Sequence, residues 1–331
     1  MSTSTNTPVH PVTIAVVTFN SADVLPGLVA SLPHGAGHIP WHLVVVDNDS
    51  TDDTVAVAQR LCPEATVVQT GRNAGYAAGV NAAVAASPEA PAVLVLNPDV
   101  RLQPGCLPTL AAALELPGTG IAVPRLTDGD GALIHSMRRR PTLLRAFADA
   151  FVGATLAGRW PLTGEVVSDP ARYASDASPD WAEGSTQLVS RACLDACGPW
   201  DESYFLYSEE TEFHLRSWAH GFGVRYVADA GAVHLEGDSG TSPRLWALLT
   251  ANRLRLFSQL ASRPRTALYW LALVLRESSR AVRGDAIARA AVRVLVRPGL
   301  LRAPRGPAWL DRATPNPVLR PSAVRAEAAR P

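Results

Sequence analysis

The sequence predicts an α/β protein built on a mainly parallel central sheet, with a basic helical extension at the C-terminus. Three observations predict it. Buried-type β-branched runs alternate with stretches of helix length through the first hundred residues. Polar and acidic residues stand just past three of those runs, where open α/β sheets bind their ligands. The charge also changes sign along the chain. Residues 1–240 carry 13 Arg against 26 Asp and Glu, and residues 241–331 carry 17 Arg against four acids, so the 331-residue chain is neutral only as a sum. Such asymmetry points to chemistry on one segment and contact with an anionic surface on the other.

In chain order, residues 1–11 read as a flexible N-terminus, and Val12–Thr18 (VTIAVVT) as a buried parallel strand. Ser21 can cap a helix to about Leu32, stopped by Pro33. Trp41–Asp47 is a second strand, and Ser50 or Thr51 begins a helix to about Leu61. Residues 65–69 form a third strand, 74–86 a third helix and Ala92–Leu96 a fourth strand. From 120 to 240, short strand signals mix with loops, an acidic helix at about 208–220 and a strand at 224–233. Residues 241–302 are helical, amphipathic and basic; residues 303–331, rich in Pro and Arg and poor in large apolar residues, read as a disordered tail.

The composition excludes several classes. The chain has no lysine, which removes Schiff-base mechanisms and the Lys-dependent P-loop. Its four cysteines (62, 106, 193 and 197) lack CxxC spacing and read as reduced and structural. The N-terminus has no signal-peptide pattern, and the longest apolar run, residues 267–275, is far short of the ~20 residues of a spanning helix. A cytoplasmic, non-transmembrane protein is expected. Gly71, Gly75 and Gly79 are not GxGxxG and follow the third strand, which disfavours a dinucleotide site.

Three constellations carry chemistry. Asn97-Pro98-Asp99 offers hard oxygen ligands suited to Mg²⁺ or Mn²⁺ on a diphosphate; as an isolated tripeptide it reads first as an Asx-type turn. Glu209, Glu210 and Glu212 at a helix start are favoured by the helix dipole, or one of them is a general base walled by Tyr204, Phe205 and Tyr207. His234, after a strand and before a Gly-rich loop, is a packed histidine, a metal ligand or a diphosphate donor.

Taken together, these motifs resemble the family-2 glycosyltransferases of GT-A fold, most of all the bacterial rhamnosyltransferase-like branch, over residues 12–240. In the family's order stand TFN at 18–20, DNDSTD at 47–52, N-x-G-[FY]-x-x-G at 73–79 with Asn81, NPDV at 97–100, SMRRRPT at 136–142, E-[DE]-x-[DE] at 209–212 and H-x-x-G at 234–237. The resemblance implies a nucleotide-diphospho-sugar transferase fold. Thr18, Asn20, Asp47 and Asn48 would hold base and ribose, with Arg72 and Asn73 enclosing them. Asp99, beside Asn97, would bind the divalent metal, and His234 would be a further ligand or a diphosphate contact. Arg138 and Arg139 would neutralise phosphate, and Asp180, Trp181 and Gly184 would shape the acceptor site. Glu210 would be the base, with Glu209 as fallback. Asn97 and Glu210 depart from the family's usual Asp at both positions, leaving a less anionic metal site and a base one methylene longer.

The implied reaction is inverting transfer from a nucleotide-sugar donor, dTDP-L-rhamnose or a UDP-hexose, to a glycan or polyprenyl-linked acceptor in cell-envelope or exopolysaccharide synthesis. The rival readings are a nucleotidyltransferase, whose Gly-rich basic loop is absent after the first strand (TFNSADV), and a sugar-nucleotide-binding protein whose turnover is weakened by the two departures. For the basic helices two readings stand: packing against the acidic domain, or an in-plane surface on anionic lipid at the inner face of the plasma membrane. They carry no nucleic-acid motif, so no nucleic-acid partner is expected.

Overall fold

The computed structural model describes residues 11–235 and 242–313. Alternating strands and helices open the chain: β1 (Val12–Thr18), α1 (Leu25–Ala36), β2 (Trp41–Asp47), α2 (Thr54–Leu61), β3 (Thr66–Gln69), α3 (Tyr76–Ala85) and β4 (Ala92–Leu96). After them come β5 (Val100–Leu102), α4 (Cys106–Leu114), β6 (Thr119–Thr127), β7 (Met137–Arg138), α5 (Leu143–Val152), α6 (Ala154–Ala157), β8 (Trp181–Ala182), β9 (Thr186–Ser190), α7 (Arg191–Cys197), α8 (Glu209–Ala219) and β10 (Gly223–His234). Five helices follow: α9 (Pro243–Leu260), α10 (Arg263–Val282), α11 (Ala286–Leu295), α12 (Pro298–Arg302) and α13 (Pro307–Ala313).

Eight strands form one sheet in the order β3-β2-β1-β4-β9-β6-β10-β5, and β7 pairs with β8 beside it. Because strand side chains alternate, β1 sends Ile14 and Val16 to one core with α1, α2 and α4, and Ala15 and Val17 to the other with α3, α7 and α8. β1 runs parallel to β2 and β4, and β10 parallel to β6, while β9 and β5 run antiparallel to their neighbours. One sheet edge therefore collects the carboxyl ends of β1, β2, β4 and β10 and the amino ends of β9 and β5. No local signal announces β9, since it pairs with β4 and β6 only after a long excursion.

Several expected boundaries shift, each for a local reason. Helix α1 continues through Pro33, which sits in its last turn and forfeits only one late hydrogen bond. Ser21 does not cap it; its backbone N–H donates to Thr54 Oγ1 at 2.7 Å. Helix α2 starts at Thr54 because Ser50 and Thr51 are engaged elsewhere, Ser50 Oγ donating to Asp47 at 2.5 Å and Thr51 N–H to Asn20 Oδ1 at 2.8 Å. The expected tail is corrected over residues 303–313. α13 packs Trp309 and Ala313 against Ala247, Leu248 and Ala251 of α9, with the Trp309 indole donating to Leu300 O at 2.8 Å. One buried aromatic anchors a segment whose average composition argues against order. Residues 1–10 and 314–331, and Gly237 of the H-x-x-G motif, lie outside the described residues.

The opposed charges meet inside the chain. Arg253 of α9 pairs with Glu165 at 2.9 Å and Asp149 of α5 at 4.0 Å, and Arg276 of α10 pairs with Asp149 at 3.1 Å. Glu277, fully buried, takes the Trp246 indole N–H at 3.0 Å and faces Arg276 and Arg280. Part of the basic extension thus faces the acidic domain. Arg263, Arg265, Arg283, Arg289, Arg297, Arg302 and Arg312 remain exposed. Among the described residues no helix is long and apolar enough to cross a membrane.

Candidate active site

The first group of site residues is built by strand ends. Thr18, last in β1, is buried and donates its hydroxyl to Asp47, last in β2, at 3.0 Å. Asp47 Oδ2 also accepts the Ser50 N–H at 2.9 Å. Asn48 Nδ2 donates to the Gly75 carbonyl at 3.0 Å, and Asn20, in a left-handed turn (φ 51°), ties the two loops through Thr51. Asn73 Oδ1 accepts the Gly75 N–H at 3.3 Å, and Arg72 is exposed at the rim. Thr18, Asn20, Asp47, Asn48 and Asn73 therefore form one hydrogen-bonded cluster.

A second group sits at the ends of β4, β5 and β10. The antiparallel pairing of β5 with β10 sets Val100 opposite His234. That register brings His234 Nε2 to 3.4 Å from Asp99 Oδ1 and 3.5 Å from Asn97 Nδ2. Two ligands of one hard cation, each about 2.1 Å from it, stand roughly 3 Å apart, so the Asp99–His234 spacing fits a shared ion. Among the described residues no three His, Cys, Asp or Glu side chains gather as a metal site; a cation here would take its other ligands from phosphate and water, the usual habit of Mg²⁺. On the other side of the imidazole, Glu183 Oε1 lies 3.8 Å from Nδ1. Sequence reasoning passed over Glu183. The only signal was its place between Trp181 and Gly184.

The third group surrounds Glu210, in the first turn of α8. Phe205, Tyr207 and Ser208, just before it, all have positive φ (67°, 68° and 73°), a conformation that costs side-chain-bearing residues on the order of 1 kcal/mol or more each. Two contacts over-determine this strained loop. Gly75 presses on it: Tyr76 N–H donates to Phe205 O at 2.7 Å, and a Cβ on Gly75, itself at φ 93°, would fall 2.3 Å from that oxygen. Asn252, fully buried on α9, donates Nδ2 to the carbonyls of Tyr204, Leu206 and Tyr207 at 2.9, 2.9 and 3.0 Å. No motif marked Asn252, because its role depends on a contact between segments some 45 residues apart. Gly184 completes the seat, since a Cβ there would lie 3.0 Å from Glu210 Cβ.

Burial pushes the Glu210 carboxyl up to about 7, with the neighbouring Glu183 charge adding and first-turn N–H groups opposing. Glu209 is buried more deeply and is driven well above the carboxylate range by desolvation and then by Glu210. Two adjacent acids are thereby set apart, one poised near neutrality and one held neutral. His214, a turn further along α8, is pushed down to about 3 by burial; its Nδ1 accepts the Ala182 N–H at 3.2 Å while Nε2 donates to Gln187 at 2.7 Å. It pins the helix bearing Glu210 to β8 and β9.

A cavity of about 320 Å³ runs from Glu210 between the sheet-bearing part of the chain and the C-terminal helices, with Arg138, Trp181, Glu183, Trp246 and Tyr269 among its walls. Arg138 stacks over Trp181 at 5.7 Å. Arg139 is not brought there. Its guanidinium is spent on the carbonyls of Gly158, Gly164 and Val166, and with Asp180 it lines a separate cleft. Asp180 accepts the Arg140 N–H at 2.6 Å and its carbonyl takes the Trp218 indole. Trp181 therefore lines the Glu210 cavity and Gly184 packs against Glu210 itself, while Asp180 and Arg139 line the other cleft.

A mainly parallel sheet that gathers these groups at one edge, with a cavity beside it, has the architecture of the GT-A fold. The family model for glycosyl transferase family 2 matches residues 13–160. The chain is 30% identical over 239 residues to the N-acetylglucosaminyl-diphospho-decaprenol L-rhamnosyltransferase of Mycobacterium tuberculosis, covering 68% of this chain and 76% of that protein. Among solved structures, a Pyrobaculum calidifontis mannosyltransferase in complex with GDP-Man and Mn²⁺ superposes with a TM-score of 0.52 at 17% identity over 93% of this chain and 86% of that one. Staphylococcus aureus TarS gives 0.51 at 16% identity over 92% of this chain, which spans half of the TarS chain. The chain belongs to glycosyl transferase family 2 and is a glycosyltransferase.

Proposed function

We propose that this enzyme moves a sugar, with inversion, from a dTDP-L-rhamnose or UDP-hexose donor to a hydroxyl of a polyprenyl-linked glycan in cell-envelope or exopolysaccharide synthesis. The observation that carries this is the sequence of sites along one edge: the Thr18–Asp47–Asn48 cluster, the Asp99–His234 pair, and Glu210 at the cavity mouth. The named activity of the mycobacterial relative, rhamnosyl transfer to a lipid-diphosphate-linked amino sugar, supports the choice of donor and acceptor class.

In this reading Asp47, Thr18 and Asn48, with Asn20 and Asn73, seat the nucleoside. Asp99 and His234 would hold Mg²⁺ or Mn²⁺, which supplies positive charge to the departing diphosphate. With no lysine in the chain, the remaining neutralisation falls to Arg138 and backbone N–H groups. Glu210 takes the acceptor hydroxyl proton, the oxygen attacks the anomeric carbon, and the nucleoside diphosphate leaves with the electrons of the broken C–O bond. Trp181 and the apolar walls around Glu210 keep the carboxylate poorly solvated, so the charged base is reactive near pH 7.

The test is a panel of UDP-, dTDP- and GDP-sugars, screened for binding and then for nucleotide release with Mg²⁺ or Mn²⁺. One donor should bind and turn over, and EDTA should abolish turnover. A donor that binds without turnover under any metal would overturn catalysis by this chain and leave a binding protein. Full activity in EDTA would remove the metal from Asp99 and His234.

A further inference from the structure

We propose that the outer face formed by α5, α6 and α10 seats on the leaflet of an anionic phospholipid bilayer, so that a lipid-linked acceptor reaches Glu210 from that side. The inference deepens the function proposed above and rests on its lipid-linked acceptor.

Helix α5 packs beside α10, with Phe147 in the cluster that holds Tyr269 and Leu273 and with Asp149 paired to Arg276. Each helix already packs an apolar face inward, with Leu143 and Phe147 of α5 against Tyr269 and Leu273 of α10, and still leaves a second set of apolar side chains outward. On α5 and the segment after it, Leu144, Phe151, Val152, Leu156, Trp160 and Leu162 are exposed, Phe151 and Leu162 by 74% each. On α10 the exposed stripe is Leu268, Leu271, Leu275 and Val282, spaced by three, four and seven residues, and Val282 is 88% exposed. Ten large apolar side chains on adjoining elements exceed the scattered surface leucines normal for a water-soluble domain.

The charges around them identify the occupant. Arg140 and Arg159 are exposed on the α5–α6 side, and Arg263, Arg265 and Arg283 flank the α10 stripe. Between residues 143 and 164 the only acid is Asp149, and within α10 the only acid is Glu277; both are turned into ion pairs with arginines. The face therefore presents apolar side chains and uncompensated Arg without exposed carboxylate, the pattern of an in-plane surface on anionic lipid. A protein partner of equal fit would need an acidic, apolar face, whereas a bilayer supplies both features over any area.

Position links the face to the chemistry. A cleft of about 440 Å³ opens between Phe151 and Val152 on one side and Ser279, Arg280 and Arg283 on the other. Asp149, Ala154 and Arg276 line both this cleft and the cavity that ends at Glu210. Arg280 is paired with Asp285 at 2.7 Å, so a diphosphate at the cleft would meet Arg283, leave its lipid on the apolar stripe and direct its sugar inward.

The experiment is flotation of the full chain with vesicles of phosphatidylcholine alone and of phosphatidylcholine with phosphatidylglycerol. The chain should float with the anionic vesicles, and less so at high salt. Phe151→Asp and Leu271→Asp should each lower the partition about tenfold, and Arg265→Glu with Arg283→Glu should abolish the preference for anionic lipid. These side chains are exposed, and circular dichroism checks each fold. Absence of flotation with either vesicle, or wild-type flotation of both Asp variants, overturns the proposal. So does a wild-type dimer in solution that the same variants convert to monomer, since the face would then be a self-association surface. Donor binding by the wild-type chain without lipid is read separately. Flotation without donor binding breaks the enzymatic reading and keeps the surface, and donor binding without flotation does the reverse.

Discussion

The proposed nucleotide side and the proposed acceptor side of this site are built by different means. At the nucleotide side, Thr18, Asp47 and Asn48 sit at ends of neighbouring parallel strands, and their partners lie in the same or the next strand-end segment. At the acceptor side, Glu210 follows a loop with three positive-φ residues, held by Gly75, Gly184 and Asn252 from distant parts of the chain. A binding cluster needs only correct strand order. A base with its carboxyl near pH 7 needs burial, and burial has to be imposed by remote segments against local preference.

The sharpest way to break this comparison is Glu210→Gln. Nucleotide release should fall by about 10²–10⁴, the usual worth of a positioned base, while donor affinity measured by calorimetry stays within about twofold. Equal loss of binding and turnover would mean that the two sides are not separable.

Asn252 tests whether the C-terminal helices belong to the catalytic apparatus. Asn252→Ala leaves three buried carbonyls without their donor, at roughly 2–4 kcal/mol of stability, and frees the strained loop. Thermal unfolding should drop by several degrees, and kcat should fall about 10- to 100-fold with KM for donor little changed. A Tm loss with kcat intact would reduce Asn252 to a purely structural tie. Asn252→Asp should be at least as damaging, because a carboxylate would face carbonyl oxygens.

These two residues mark where the sequence is legible. Strands β1, β2 and β4 were readable because buried parallel strands are apolar throughout, and Thr18, Asp47 and Asp99 because they interrupt that pattern at its end. Strand β9, Glu183 and Asn252 were not readable: each acquires its role from a partner distant in sequence. Asp180 and Arg139 show the converse. They occupy the expected motif positions, but β7–β8 pairing and three carbonyl acceptors turn them into a different cleft. Composition misleads at Trp309 for a related reason, since one anchored indole outweighs several prolines and arginines.

The pH profile sharpens the comparison further. With Glu210 raised to about 7, its active, ionised form grows as pH rises, so kcat/KM should climb about tenfold per unit below pH 7 and level above it. Stability should move the other way. Folded Glu210 holds its proton in the window from the ordinary value of 4.5 up to about 7, where the unfolded chain has lost it, so this group's contribution declines as pH rises through that window. Nucleotide binding at Asp47 should not follow either curve. A kcat/KM profile flat from pH 5 to 8, read on the same protein preparation, would remove Glu210 as the titrating base.

The smallest effect is expected next door. Glu209 is 2% exposed, and its Oε2 has no hydrogen-bond partner among the described residues. Burial and the Glu210 charge keep its carboxyl protonated, so Glu209→Gln replaces one neutral planar group by another of the same size. Turnover should stay within about threefold, and the Glu210 titration should shift slightly downward if Glu209 carried residual negative charge in the wild type. The adjacent substitutions thus separate two acids that sequence alone ranks only by position. If Glu209→Gln destroys turnover while Glu210→Gln spares it, the base is the more buried carboxylate, and the acceptor must approach from the Tyr76 side of α8, not through the cavity beside the C-terminal helices.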